Sequence, residues 1–354
     1  MTRALRLVGV LFVLMPVLIA CGKTTSSGGA LSVTTLYSSR LTLGDVSPFL
    51  PDAKNWWVAA PTFDVRPLNS ATRADADLGG LTIRFSHLGT GEILSLNYQV
   101  LSSNTVASAL MRANKIISGN GQTGPKAGDQ VLYYNKKLQA GPTVYNNLAF
   151  VQVGDVIITI VWSHVDGFAS TSSVGKFASK AVARLKDGLA GKASPSPAQA
   201  ADPLLLAPPG PQLTLLGSTR LPIEVLAQMI DIATPTGLAD EFHHNGVTDF
   251  VFGDYALNID TRMEVQTAGI MFSKFPTGGS DFIKGYFGAS NLSSTGEAGG
   301  YDTATGQYVF GFGSGSRAIL MICKSSADGE EAARACEEPM ALVVAGWHSL
   351  LGTG

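Results

Sequence analysis

The chain has 354 residues, 45% of them hydrophobic and 15% charged, with 40 glycines, 17 prolines and three cysteines. That apolar content excludes a disordered chain and the low charge excludes a coiled coil. A formal net charge of −2 gives no electrostatic case for nucleic acid as a partner, and at roughly 150 residues per domain the length suggests about two domains.

Arg3 and Arg6 precede an apolar run from Leu7 to Ala20 that ends in Leu18-Ile19-Ala20-Cys21. The run is shorter than the roughly 20 residues a mature transmembrane helix needs, so residues 1–20 read as a secretion signal. Leu18-Ile19-Ala20-Cys21 resembles the lipobox of bacterial lipoproteins. The resemblance implies that residues 1–20 are removed and that Cys21 carries diacylglycerol and an N-acyl chain. The membrane would then be the protein's first partner, with the chain lipid-anchored on its extracytoplasmic face. An ordinary signal peptide cut near Ala20 is the alternative. Residues 21–35 are rich in Gly, Ser and Thr and read as a flexible tether with a reach of roughly 20 Å.

With Cys21 acylated, only Cys323 and Cys336 remain, and an oxidising compartment lets such a pair join as a disulfide. Zinc is the competing reading, but two cysteines without a nearby histidine pair lack four ligands.

Residues 191–212 hold six of the prolines and form a semi-rigid linker between a module at 36–190 and another at 213–354. In the first module, Leu81–Leu88 and Glu92–Leu101 read as strands joined by Gly89-Thr90-Gly91, and Ser102–Ile117 as a capped helix. Strands follow near Asp129–Tyr134, Tyr145–Val153 and Val156–Trp162, the last two joined by Gly154-Asp155. Val174, Phe177, Ala181, Leu185 and Leu189 are the apolar stripe of a closing helix.

The second module repeats that order more loosely. Strand-like Phe250–Tyr255 and Met263–Phe272 precede a helix near Ser280–Gly288. Strands at Gln307–Phe312 and Ser316–Ile322 flank Gly313-Ser314-Gly315, and a last helix carries Met340, Val343, Trp347 and Leu350. The expected fold class is α+β, with two similar modules that each pack helices on one face of an antiparallel sheet. Residues 21–190 carry 15 Lys and Arg against ten Asp and Glu, whereas residues 213–354 carry seven against 16. The membrane-proximal module is thus basic and the distal one acidic. The basic module could lie against anionic headgroups or wall polymer, or the two could attract each other, or two solvated surfaces have simply drifted apart.

Few residues advertise chemistry. Gly119 to Gly124 has the spacing of a dinucleotide loop, but it follows a helix and leads into a strand, so it reads as a connection. Asp240, Glu241, His243 and His244 form the one cluster resembling a metal site, with Asp240 and His243 its weak ligand candidates, against a polar exposed loop. His87, His164 and His348 stand alone in the sequence. Trp56-Trp57 is either a ligand-stacking patch or a core anchor, and in a strand only one of the two would face inward. Asn291-Leu292-Ser293 matches a glycosylation pattern that a bacterial lipoprotein rarely uses.

Gly128-Asp129 before a strand, the Gly154-Asp155 hairpin and the Ala/Lys/Arg-rich closing helix make the first module similar to extracytoplasmic sensor-type domains of some bacterial surface proteins. That resemblance implies no functional residues and no cofactor. The expected function is a membrane-anchored binding or sensing protein without catalysis, whose partner is an envelope ligand or protein that meets both modules. The alternatives are an envelope hydrolase using acidic residues or the Asp240/Glu241/His243/His244 cluster, and a structural envelope protein.

Overall fold

A computed structural model of the protein describes residues 33–59, 62–64, 77–119, 121–139, 143–193, 213–230, 235–257, 264–272, 275–288, 290, 297–302, 307–324, 336–337, 341–342 and 344–349. The residues read as a secretion signal, Cys21, most of those read as tether and linker, Asn291, Met340, Val343 and Leu350 lie outside these residues. The chain divides into two compact units between Ser196 and Pro197. Among the described residues no helix is long and apolar enough to cross a membrane.

The first unit holds helices α1 (Val33–Ser38) and α2 (Leu43–Val46), strands β1 (Trp56–Val58), β2 (Thr62–Asp64), β3 (Asp77–His87) and β4 (Ile93–Leu101), helix α3 (Asn104–Ser118), strands β5 (Gln130–Gln139), β6 (Thr143–Val153) and β7 (Val156–His164), and helix α4 (Thr171–Leu189). The antiparallel sheet runs β1-β3-β4-β7-β6-β5, with β2 also on β3. Period-two alternation builds its core. Phe85 pairs with Leu94 and Ile83 with Leu96, and across β4 these residues face Trp162 and Ile160.

Helix α4 closes over that face. Ser170 caps it by accepting the Ser173 N–H, and Val174, Phe177, Ala178, Ala181 and Leu185 are buried, with the Phe177 ring edge-on to Trp162 at 5.2 Å. Helix α3, capped by Ser103, packs Ala107, Leu110 and Met111 against Ile157, with Leu132 and Phe150 alongside. Ile157 alternates with Ile158 and Ile160, so α3 covers the opposite face. The α+β class stands, and the one-face expectation is refined: α3 and α4 take opposite faces.

The chain before β1 is fastened to α4 by charge. Thr42 and Asp45 form a reciprocal capping box, and the Asp45 carboxylate lies 3.4 Å from Lys180 Nζ and 3.6 Å from Arg184 Nε. Burial alone would raise the Asp45 pKa. Hydrogen bonds from Thr42, with Arg184 and Lys180, more than reverse this and hold the carboxyl below its usual range. Burial beneath this clamp raises the pKa of the Tyr98 phenol.

The second unit contains β8 (Leu213–Leu221), α5 (Ile223–Ile230), α6 (Pro235–His244), β9 (Val247–Leu257), β10 (Glu264–Phe272), α7 (Gly278–Phe287), β11 (Glu297–Asp302), β12 (Gln307–Ser314) and β13 (Arg317–Lys324), and residues 344–349 are helical. Its strand order is β8-β9-β10-β13-β12-β11. Replacing β1, β3, β4, β7, β6 and β5 in turn reproduces the first sheet. Here too the helices divide: α7 lies over Gly311 and Gly313, while Trp347 packs with Phe312, Ile319 and Met321 on the other face.

The tight turn between β12 and β13 is Gly315-Ser316, not Gly313-Ser314-Gly315, because Gly313 and Ser314 continue the ladder opposite Ala318 and Arg317. Gly315 has φ +57° and Gly154, in the matching β6–β7 turn, φ +59°. Strands β1, β2, β8 and β11 and helices α1, α2, α5 and α6 have no counterpart in the sequence reading.

Cys323 on β13 and Cys336 form a buried disulfide with a Cα–Cα distance of 5.8 Å, inside the cluster that holds Trp347. Removing the bridge with Cys323→Ser/Cys336→Ser should lower the stability of the second unit by about 3 kcal/mol in denaturant titration. Gly279 lies against the Arg317 backbone and its N–H donates to the Gly315 carbonyl at 2.9 Å. Gly279→Ala should therefore lower the same transition by about 1–3 kcal/mol, because a methyl there meets backbone that cannot turn aside.

Candidate functional site

β3 ends at His87 and β7 ends at His164, with β4 between them. Ser86 pairs with Ile93 and Ile93 with Ser163, which sets the next residues, His87, Glu92 and His164, side by side. The His87 N–H donates to the Glu92 carbonyl at 2.9 Å, continuing the ladder. Trp56 pairs with His87 from β1, and Tyr145 with His164 from β6. The result is a cross-strand row of Trp56, His87, Glu92, His164 and Tyr145 at one end of the sheet.

The row is titratable and mostly buried. Side-chain exposure is 4% for His87, 9% for His164 and 14% for Glu92. One Glu92 carboxylate oxygen accepts the Trp162 indole N–H at 3.2 Å and lies 3.8 Å from His164 Nδ1. The His164 imidazole packs on Trp162 at 4.5 Å between ring centroids, and His87 packs edge-on to Trp56 at 5.3 Å. The Thr90 backbone N–H donates to His87 Nδ1 at 3.4 Å, which leaves the proton of a neutral ring on Nε2, 3.8 Å from Asp52. His164 Nε2 is buried and has no hydrogen-bond partner among the described residues. Burial lowers the His164 pKa, opposed by the nearby charges of Glu92 and Asp166.

The structure separates the residues singled out from sequence. Trp56 is 2% exposed, its indole N–H donating to the Pro51 carbonyl at 2.8 Å, whereas Trp57 on the same strand is half-buried. Asp240, Glu241, His243 and His244 lie in the last turns of helix α6 instead of in a loop. His243 Nε2 is 3.0 Å from Glu224 on α5, and no group of three metal-ligating side chains occurs among the described residues. Gln122, in the segment between α3 and β5, is bridged to Tyr133.

His87, His164 and His348 do not stand alone. The first two flank Glu92, and His348 is hydrogen-bonded to Glu297. Glu92 carries no sequence signal, because only the register of three strands brings it between two histidines 77 positions apart.

No protein-family model and no curated protein matches the chain. Among solved structures, the extracellular domain of PknH from Mycobacterium tuberculosis is similar at a TM-score of 0.35 and 11% identity. The match covers 45% of this chain and 98% of that one.

Trp56→Ala should destabilise the first unit by about 3–5 kcal/mol in denaturant titration, and Trp57→Ala by less than about 1 kcal/mol. Because the folded His164 pKa is depressed, the unfolded chain binds the proton more readily. The melting temperature of the first unit should thus fall as pH drops through about 6.5 and level off below the folded pKa, and His164→Gln should flatten that part of the profile.

Proposed function

We propose that the protein is held at the extracytoplasmic face of a membrane by lipid on Cys21 and binds or senses a ligand there. The observation that carries the placement is the Cys323–Cys336 disulfide. Both cysteines are 1% exposed, and their bridge uses every cysteine of the chain except the one in the lipobox-like tetrapeptide. A bond of this kind persists in compartments that oxidise thiols, where a lipobox would send the chain. The excess of Lys and Arg over residues 21–190 favours the same placement, since cations near an anionic leaflet are stabilised by about 1 kcal/mol each.

Sensing is supported by the buried row around Glu92. His164, packed on Trp162 and beside the Glu92 carboxylate, is placed to couple local packing to the acidity of the medium. Cells fed labelled palmitate should yield labelled wild-type protein in the membrane fraction, and Cys21→Ala should be unlabelled and released. Wild-type protein that keeps residues 1–20 by mass, or carries no label, would contradict the anchor.

A further inference from the structure

The Glu92 carboxylate sits between two donors of unequal strength. It accepts from the neutral Trp162 indole at 3.2 Å, and the same oxygen is 3.8 Å from His164 Nδ1, beyond hydrogen-bond range but within reach of a small side-chain rotation. A protonated imidazole would be the stronger partner, since it brings a full positive charge to the carboxylate where the indole N–H is neutral. Among the described residues, charged groups around the row include Asp52 from the turn before β1, Glu92 just before β4 and Asp166 after β7. Lys137 of β5 lies over the Tyr145 ring at 5.6 Å, and Lys176 of α4 over Phe49 at 6.0 Å. Next to the His164 imidazole, Glu92 and Asp166 favour an incoming proton, against the burial that opposes it.

We propose that the His87–Glu92–His164 row is a proton-binding switch: in a mildly acid medium a proton enters at His164, and Glu92 turns from the Trp162 indole to the new imidazolium. This deepens the sensing reading above by naming the proton as the ligand. No bond other than the N–H is made, and the proton comes from solvent. The movement is placed to be felt outside. The turn holding Glu92 is tied to His87 through Thr90, and the exposed apolar side chains of Leu88, Val165 and Phe168 lie within a few residues of the row.

Imidazole nitrogen resonances of the intact exported chain carrying Cys21→Ala, labelled with ¹⁵N in His and Trp, test the switch from pH 8 to pH 4. His164 should titrate below the free-histidine value, and the Trp162 indole N–H resonance should move with the same midpoint. Glu92→Gln should abolish the indole response and weaken proton binding by His164 at least three-fold. Trp162→Phe, which removes the indole donor from Glu92, should strengthen that binding and serves if Glu92→Gln fails to fold. A His164 that titrates at the free value whatever stands at position 92, or an indole resonance that ignores the titration, would overturn the proposal. The chain used is unlipidated, so this outcome is independent of the palmitate result.

Discussion

β4 is hydrogen-bonded to β3 on one side and β7 on the other, and the register of those two ladders determines what the first unit can do. Residues 87, 92 and 164 share a row only because Ile93 pairs with both Ser86 and Ser163. A slip of one residue in either ladder would send Glu92 to the opposite face, away from Trp162, and would take Leu94 and Leu96 off the face that α4 covers. The apolar pairs that make the core and the polar row at its end are therefore fixed by the same hydrogen bonds.

Both units solve the problem of holding a closing helix on a sheet, and they solve it differently. In the first, Asp45 gathers Lys180 and Arg184 while Phe177 packs on Trp162. In the second, Trp347 sinks among Phe312, Ile319 and Met321, and the Cys323–Cys336 bridge joins that cluster. An ion-pair clamp costs desolvation and loosens when its carboxylate is protonated, whereas a disulfide constrains the unfolded chain and is indifferent to acid. The second unit is accordingly insulated from acid at this point. The first is not.

Much of the plan was legible in the sequence because it rests on local pattern. Alternation at Leu94, Leu96, Tyr98 and Val100 marks β4, and the stripe from Val174 to Leu185 marks α4, since period two and period 3.6 leave their trace in any chain that buries one face. The paired order of the two units followed from those elements, and the isolated pair Cys323 and Cys336 announced its bridge. The edge strands β1 and β11 did not show. β1 spans three residues and β11 holds Gly299 and Gly300, too short or too bare for a pattern. Helices on both faces were missed because a sheet covered twice keeps apolar residues at consecutive positions, as in Val156-Ile157-Ile158, which a reading by alternation cannot divide between two layers. His87 and His164 looked solitary because the carboxylate between them is a neighbour in space and not in order.

The most direct test is a pair of crystal structures of the exported chain, one grown near pH 7.5 and one near pH 5. The account predicts that Glu92 accepts from the Trp162 indole in the first and from His164 Nδ1 in the second, with the turn at residues 88–92 displaced to follow it. A Glu92 carboxylate in the same place in both, with His164 no closer, would contradict it.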